Sequence, residues 1–173
     1  PAYLQRALLN GQLGNSEEAI QDLNVLIEID NSNYLGYYLR AHINNSLGKL
    51  KTVKSDCIKA LVLDKSANPY HQYSGFCKIK IGDYLGGIQE YEKEINKGQI
   101  DYYDYYTLGT AYFKIGKYSE ADSSYNKALE LNPSMTQAYF RKGLLNDKLG
   151  RHEKAILAYN TALIFNPVDV KSR

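Results

Sequence analysis

Residues 102–135 read YYDYYTLGTAYFKIGKYSEADSSYNKALELNPSM, and the apolar spacing describes two short helices joined by one tight turn. Tyr105, Leu108, Gly109 and Tyr112 recur on one face of the first helix. That face meets Ala121 on the second helix, where small side chains let two backbones approach closely. Gly116 stops the first helix, because glycine takes the left-handed conformation of a helix C-terminus at little steric cost.

The rest of the chain repeats this pattern without an insertion. The glycine column runs Gly14, Gly48, Gly82, Gly116 and Gly150, preceded by Leu13, Leu47, Ile81, Ile115 and Leu149. A small column reads Ala7, Ala41, Gly75, Gly109 and Gly143; an aromatic one reads Tyr3, Tyr37, His71, Tyr105 and Tyr139; a branched one reads Ile27, Leu61, Ile95, Leu129 and Leu163. Tyr105, Gly109, Tyr112, Gly116, Ala121, Tyr125, Ala128 and Pro133 stand at the spacing of a helix-turn-helix repeat of about 34 residues, and over residues 2–167 the chain resembles the tetratricopeptide (TPR) family. The resemblance implies an all-α, right-handed superhelical solenoid of antiparallel helix pairs. Its repeats fall at 1–33, 34–67, 68–101, 102–135 and 136–169, with 170–173 the start of a further repeat or a tail.

First helices are expected to start behind Asn33, Asn68 with Pro69, Asp101, and Ser134 after Pro133, whose polar side chains accept orphan backbone donors. Second helices are expected near Ser16, Leu50, Tyr84, Tyr118 and His152. Repeat three is irregular: Gly86 and Gly87 fall inside its second helix, and Glu94 stands where Ala128 and Ala162 stand elsewhere. A bend near residues 84–100 and ordinary drift both fit that irregularity.

Composition narrows the function classes. With 21 basic against 19 acidic residues the net charge is +2, too little to favour a nucleic-acid partner, and RNA binding is the lesser alternative. No apolar run approaches the ~20 residues of a membrane-spanning helix. Pro1 and a start inside a repeat read as an excised piece, so localisation stays open with a slight lean to the cytoplasm. Cys57 and Cys77 fall on apolar helix positions and read as core thiols, with a disulfide or metal role the lesser alternative.

An enzyme needs a nucleophile with its base, a carboxylate pair or a ligand cluster. His42, His71 and His152 fall on separate repeats without an i, i+4 partner, so neither catalysis nor a cofactor or metal is expected. Function then rests on surface. In the family, the face of the first helices turned away from the helix pair lines a concave groove that holds a peptide. The matching groove positions are Leu35, Tyr38 and His42 in repeat two, then Phe76 and Ile79 in repeat three. Repeats four and five supply Tyr103, Tyr106, Thr110 and Phe113, then Phe140 and Leu144. Chaperone-binding members clamp a terminal carboxylate with lysine, asparagine and arginine; here Leu4, Leu8, Tyr38, Gln72 and Phe76 occupy those places, and a carboxylate would find no cation. The expected role is a protein-interaction scaffold taking an apolar or amphipathic segment of a protein partner. The alternative is self-association through exposed solenoid ends, where Ile156, Tyr159, Leu163 and Phe165 recur, or use as a spacer beside another domain.

Overall fold

The computed structural model describes residues 2–64, 71–98 and 100–165. Ten helices run through them with no strand among the described residues: α1 Ala2–Gln12, α2 Ser16–Ile29, α3 Tyr34–Ser46, α4 Leu50–Leu63, α5 His71–Ile81, α6 Tyr84–Lys97, α7 Tyr102–Lys114, α8 Tyr118–Leu131, α9 Thr136–Lys148 and α10 His152–Phe165. Every second helix starts where the sequence places it. The five column glycines all have positive φ, from 69° to 101°, which is why no other residue type holds those turns.

Of the four expected caps, two form and one does not. The Asn33 side chain accepts from the Gly36 N–H, and Asp101 and Asp104 form a reciprocal capping box at the start of α7. Ser134 does not cap α9. It donates to the Asn132 side chain in the turn, and the helix starts behind Met135 without a side-chain cap. Asn68, Pro69, Gln99 and residues 166–173 lie outside the described residues.

The chain divides into two compact units, residues 1–90 and 91–173. In the first, Ala7, Leu23, Leu26 and Leu39 form a core on which Leu4, Leu8, Leu35, Ile43 and Tyr73 pack. Each pair also carries an ion pair across its two helices: Arg6 to Asp22 at 2.8 Å, Arg40 to Asp56 at 2.9 Å and Lys78 to Glu90 at 2.7 Å. Arg40 reaches back to Asn24 at 2.7 Å and so ties its repeat to the preceding one. Gly87 is a contact point, because a Cβ there would meet Ile79 at 2.5 Å and the Gly75 carbonyl at 2.9 Å. The glycine in α6 thus has a packing reason.

The cysteines correct the sequence reading. Cys57 in α4 and Cys77 in α5 are fully buried, with Cα atoms 4.9 Å apart, and are joined as a disulfide. They are not free core thiols. The period assigns each residue a face but is silent on which faces meet, and here the second helix of repeat two meets the first helix of repeat three. A disulfide belongs to oxidising surroundings, which counts against the slight lean to the cytoplasm.

In the second unit, Ala121, Tyr125 and Leu145 make one cluster and Ala128, Met135 and Ala138 another. A Cβ on Gly109 would stand 2.7 Å from the Tyr125 ring, so the small column is what lets α7 lie against α8. Lys142 bonds Asp122 at 3.0 Å and also Asn126, the counterpart of Asn24, so the tie between repeats recurs. Glu94, which breaks the alanine column, is 1% exposed and pairs with Lys97 at 3.2 Å. Burial, with the Asp101 and Glu94 charges adding to it, pushes the Asp104 carboxyl up to about 7.

Candidate functional site: an apolar pocket between α7, α9 and α10

Where the outward side chains of the first helices end up depends on what stands beside them. In the first unit neighbouring first helices cover one another. Tyr38 is 1% exposed, its ring stacks on Tyr73, and its hydroxyl bonds Asp64 at 3.2 Å. Phe76 is 2% exposed with the His42 ring 5.3 Å away, Ile79 is buried, and Leu35 packs on the Leu23 core. Of the expected groove positions, Tyr38, Phe76 and Ile79 are thus buried in the core and offer a partner almost no surface. Burying such a side chain gains about 1.5–3 kcal/mol, and the next first helix is near enough to supply the cover.

The second unit differs. Tyr103 packs 5.7 Å from Tyr106, Thr110 donates to the Tyr106 carbonyl at 3.0 Å, and Phe113 lies 5.7 Å from Tyr118. These three, with Leu144, are half-buried. Phe140 is 49% exposed, resting 5.6 Å from Tyr159. Together Tyr106, Phe140, Tyr159, Ala162 and Leu163 line an open pocket of about 570 Å³ rimmed by Thr136, Gln137 and Arg141.

Two of the expected groove residues, Tyr106 and Phe140, thus come together, and two of the four α10 side chains expected to serve self-association, Tyr159 and Leu163, join them. Sequence reading missed Arg141, Gln137 and Thr136. Arg141 stands one position beyond Phe140, off every repeating column, so the period gave no signal for it. It places a cation at the pocket rim, away from the positions matched to the carboxylate-clamping members: half-buried, its guanidinium lies 3.4 Å from the Tyr106 hydroxyl. Burial pushes the Tyr125 phenol beneath Tyr106 up to about 12, leaving it neutral at any physiological pH.

The pocket lining includes no His, Cys, Asp, Glu or Lys, and so no nucleophile paired with a base. The histidines stand apart, His42 on Phe76, His71 bonded to Glu90 at 2.7 Å, and His152 to Asp147 at 3.1 Å. Among the described residues no three His, Cys, Asp or Glu side chains gather as metal ligands, and no helix is long and apolar enough to cross a membrane. Lys80, Lys114 and Lys148 sit in last turns of first helices, where they oppose the helix dipole.

Paired antiparallel helices with a glycine turn, repeated along the chain, define a helical-repeat protein of the interaction type. Tetratricopeptide repeat models match residues 1–33 and 106–170, and the chain belongs to the TPR family. No curated protein sequence matches it. Among solved structures it is similar to MamA, at 20% identity over 95% of this chain and 96% of that one, with a TM-score of 0.57. It is similar to YrrB, a TPR protein with an unusual peptide-binding site, at 19% identity over 96% and 86%, TM-score 0.57. It is also similar to PilW, a type IV pilus biogenesis factor, at 15% identity over 96% and 77%, TM-score 0.69. At these identities the likeness is one of fold.

Proposed function

We propose that this protein is an interaction scaffold whose pocket between α7, α9 and α10 takes an apolar side chain of an extended or amphipathic partner segment. The observation that carries the reading is the pocket itself, about 570 Å³, floored by aromatic rings, with Phe140 and Leu163 each about half exposed at its mouth. Pockets of this size with an apolar floor and few polar groups are built for ligand side chains, and aromatic side chains dominate interface energies. A peptide-binding site in the similar YrrB supports the same class of ligand.

The test is capture of partners by the whole chain, followed by binding of the captured segment to Phe140→Ala and Tyr106→Ala. Each substitution is expected to weaken binding by about 1–4 kcal/mol with helicity unchanged. Parent-like affinity in both variants refutes the pocket.

A second reading has its own observation. Ile156, Leu157, Ile164 and Phe165 are 46–74% exposed on α10, an apolar face that a second copy of the chain could cover. Sedimentation across concentrations, with Phe165→Glu as the variant, separates the readings. Self-association requires a concentration-dependent mass that the glutamate abolishes.

A further inference from the structure

The three arginines on first helices, Arg6, Arg40 and Arg141, are handled in two ways. Arg6 and Arg40 each close on an aspartate of their own repeat, at 2.8 and 2.9 Å. Arg141 has no carboxylate among the described residues; its one hydrogen bond there is the 3.4 Å approach of Nε to the Tyr106 hydroxyl. It is half-buried at the rim of an apolar pocket, with Phe140, Tyr159 and Leu163 around the opening. A guanidinium is always charged, and its planar fork carries five donors, most of them left open here. Partial removal from water strengthens its attraction for an anion, and an apolar wall excludes the solvent that would screen it.

From this we infer that the pocket recognises two adjacent chemistries: the partner segment carries an aspartate or glutamate side chain beside its apolar anchor, the anchor entering the pocket against Tyr106, Phe140 and Leu163 and the carboxylate pairing with Arg141. The inference rests on the peptide reading of the pocket and adds to it the specificity-determining residue. A side-chain carboxylate fits better than a chain terminus. The other polar groups on the rim, the Thr136 hydroxyl and Gln137 amide, suit a backbone passing through, and no lysine stands among the lining residues to converge with Arg141 on a terminal carboxylate. Bidentate pairing of a guanidinium with a carboxylate supplies orientation as well as affinity, which fixes the direction in which the segment lies.

The experiment uses the full chain and a synthetic array of N-acetylated, C-amidated ten-residue peptides. Each peptide carries one Phe or Leu anchor, with Glu, Gln or Lys at each neighbouring position in turn. One further set has no acidic side chain but a free C-terminal carboxylate. The expected result is that some register with Glu binds at least tenfold tighter than its Gln twin. That advantage should shrink with added salt and vanish in Arg141→Gln, while Arg141→Lys keeps part of it and Phe140→Ala weakens Glu and Gln members alike. If Glu and Gln twins bind equally and both depend on Phe140, the carboxylate subsite is overturned while the apolar pocket stands. If the free-terminus set binds as well as the Glu set, the commitment to a side chain is overturned. If no member binds, or binding ignores Phe140, the peptide reading falls and this inference with it.

Discussion

Gly109→Ala adds a single methyl group at the contact between α7 and α8, and two opposed quantities set its effect. Replacing glycine by alanine inside a helix gains about 0.5–1 kcal/mol of backbone entropy and propensity. The new Cβ, however, would stand 2.7 and 2.8 Å from two carbons of the Tyr125 ring and 3.1 Å from the Ser124 Cβ, all inside van der Waals contact. Tyr125 is 0% exposed and cannot swing into solvent, so the helices themselves must separate. Overpacking of this kind costs about 1–3 kcal/mol, and contacts under 3 Å with a fully buried ring place it in the upper half of that range, which leaves a net loss of about 1–2 kcal/mol and a fall in melting temperature of about 2–8 °C. Gly11→Ala is the matched control. Its Cβ would find only Ile43, at an ordinary 3.8 Å, so the same chemical change should raise stability by about 0.5–1 kcal/mol. Thermal and urea unfolding followed by circular dichroism read both variants. Opposite signs are required; equal shifts, or a stabilised Gly109→Ala, would refute the argument that close helix approach explains the small column.

Two further outcomes follow from the buried pairs. Reduction of the Cys57–Cys77 bond, which closes a loop of sequence separation 20, should lower stability by about 3 kcal/mol on the chain-entropy estimate, seen as a reductant-dependent shift of the urea midpoint; a midpoint indifferent to reductant, with both thiols titrating in the unfolded chain before any reductant is added, would show that the bond is absent. Asp104 should make the protein less stable as pH rises: its folded pKa of about 7 lies above the unfolded value of 3.8, so between those values the folded state holds a proton that the unfolded state has released. Stability from this carboxyl is greatest below pH 4 and is lost up to pH 7. Asp104→Asn should remove that slope and gain on the parent at pH 8, whereas parallel pH curves for the two proteins would contradict the burial assigned to Asp104.

The repeat geometry was legible because a fixed period forces each column into one environment. Gly116 and its counterparts turn the chain, Ala121 and Gly109 let helices touch, and the positions of Ser16, Leu50, Tyr84, Tyr118 and His152 follow. What the period could not supply was cover. Tyr38 and Tyr106 occupy equivalent places, yet Tyr38 is sealed beneath Tyr73 while Tyr106 borders an open pocket, because exposure is decided by side chains a repeat or more away. Arg141 escaped for the opposite reason: it belongs to no column, and its proximity to Tyr106 is a contact across 35 residues. Cys57 and Cys77 each read correctly as buried, but their meeting is a distance between helices.

The disulfide also decides how the first unit would carry a mechanical load. Tension along the backbone reaching Cys57 passes through the sulfurs to Cys77, so the intervening stretch, sequence separation 20, bears none of it while the bond is intact. At about 3.3–3.6 Å per extended residue, roughly 70 Å of contour is withheld from stretching. A pulled, oxidised chain would therefore reach its full length some 70 Å short, and the missing increment would appear in one step when the sulfurs are reduced under load.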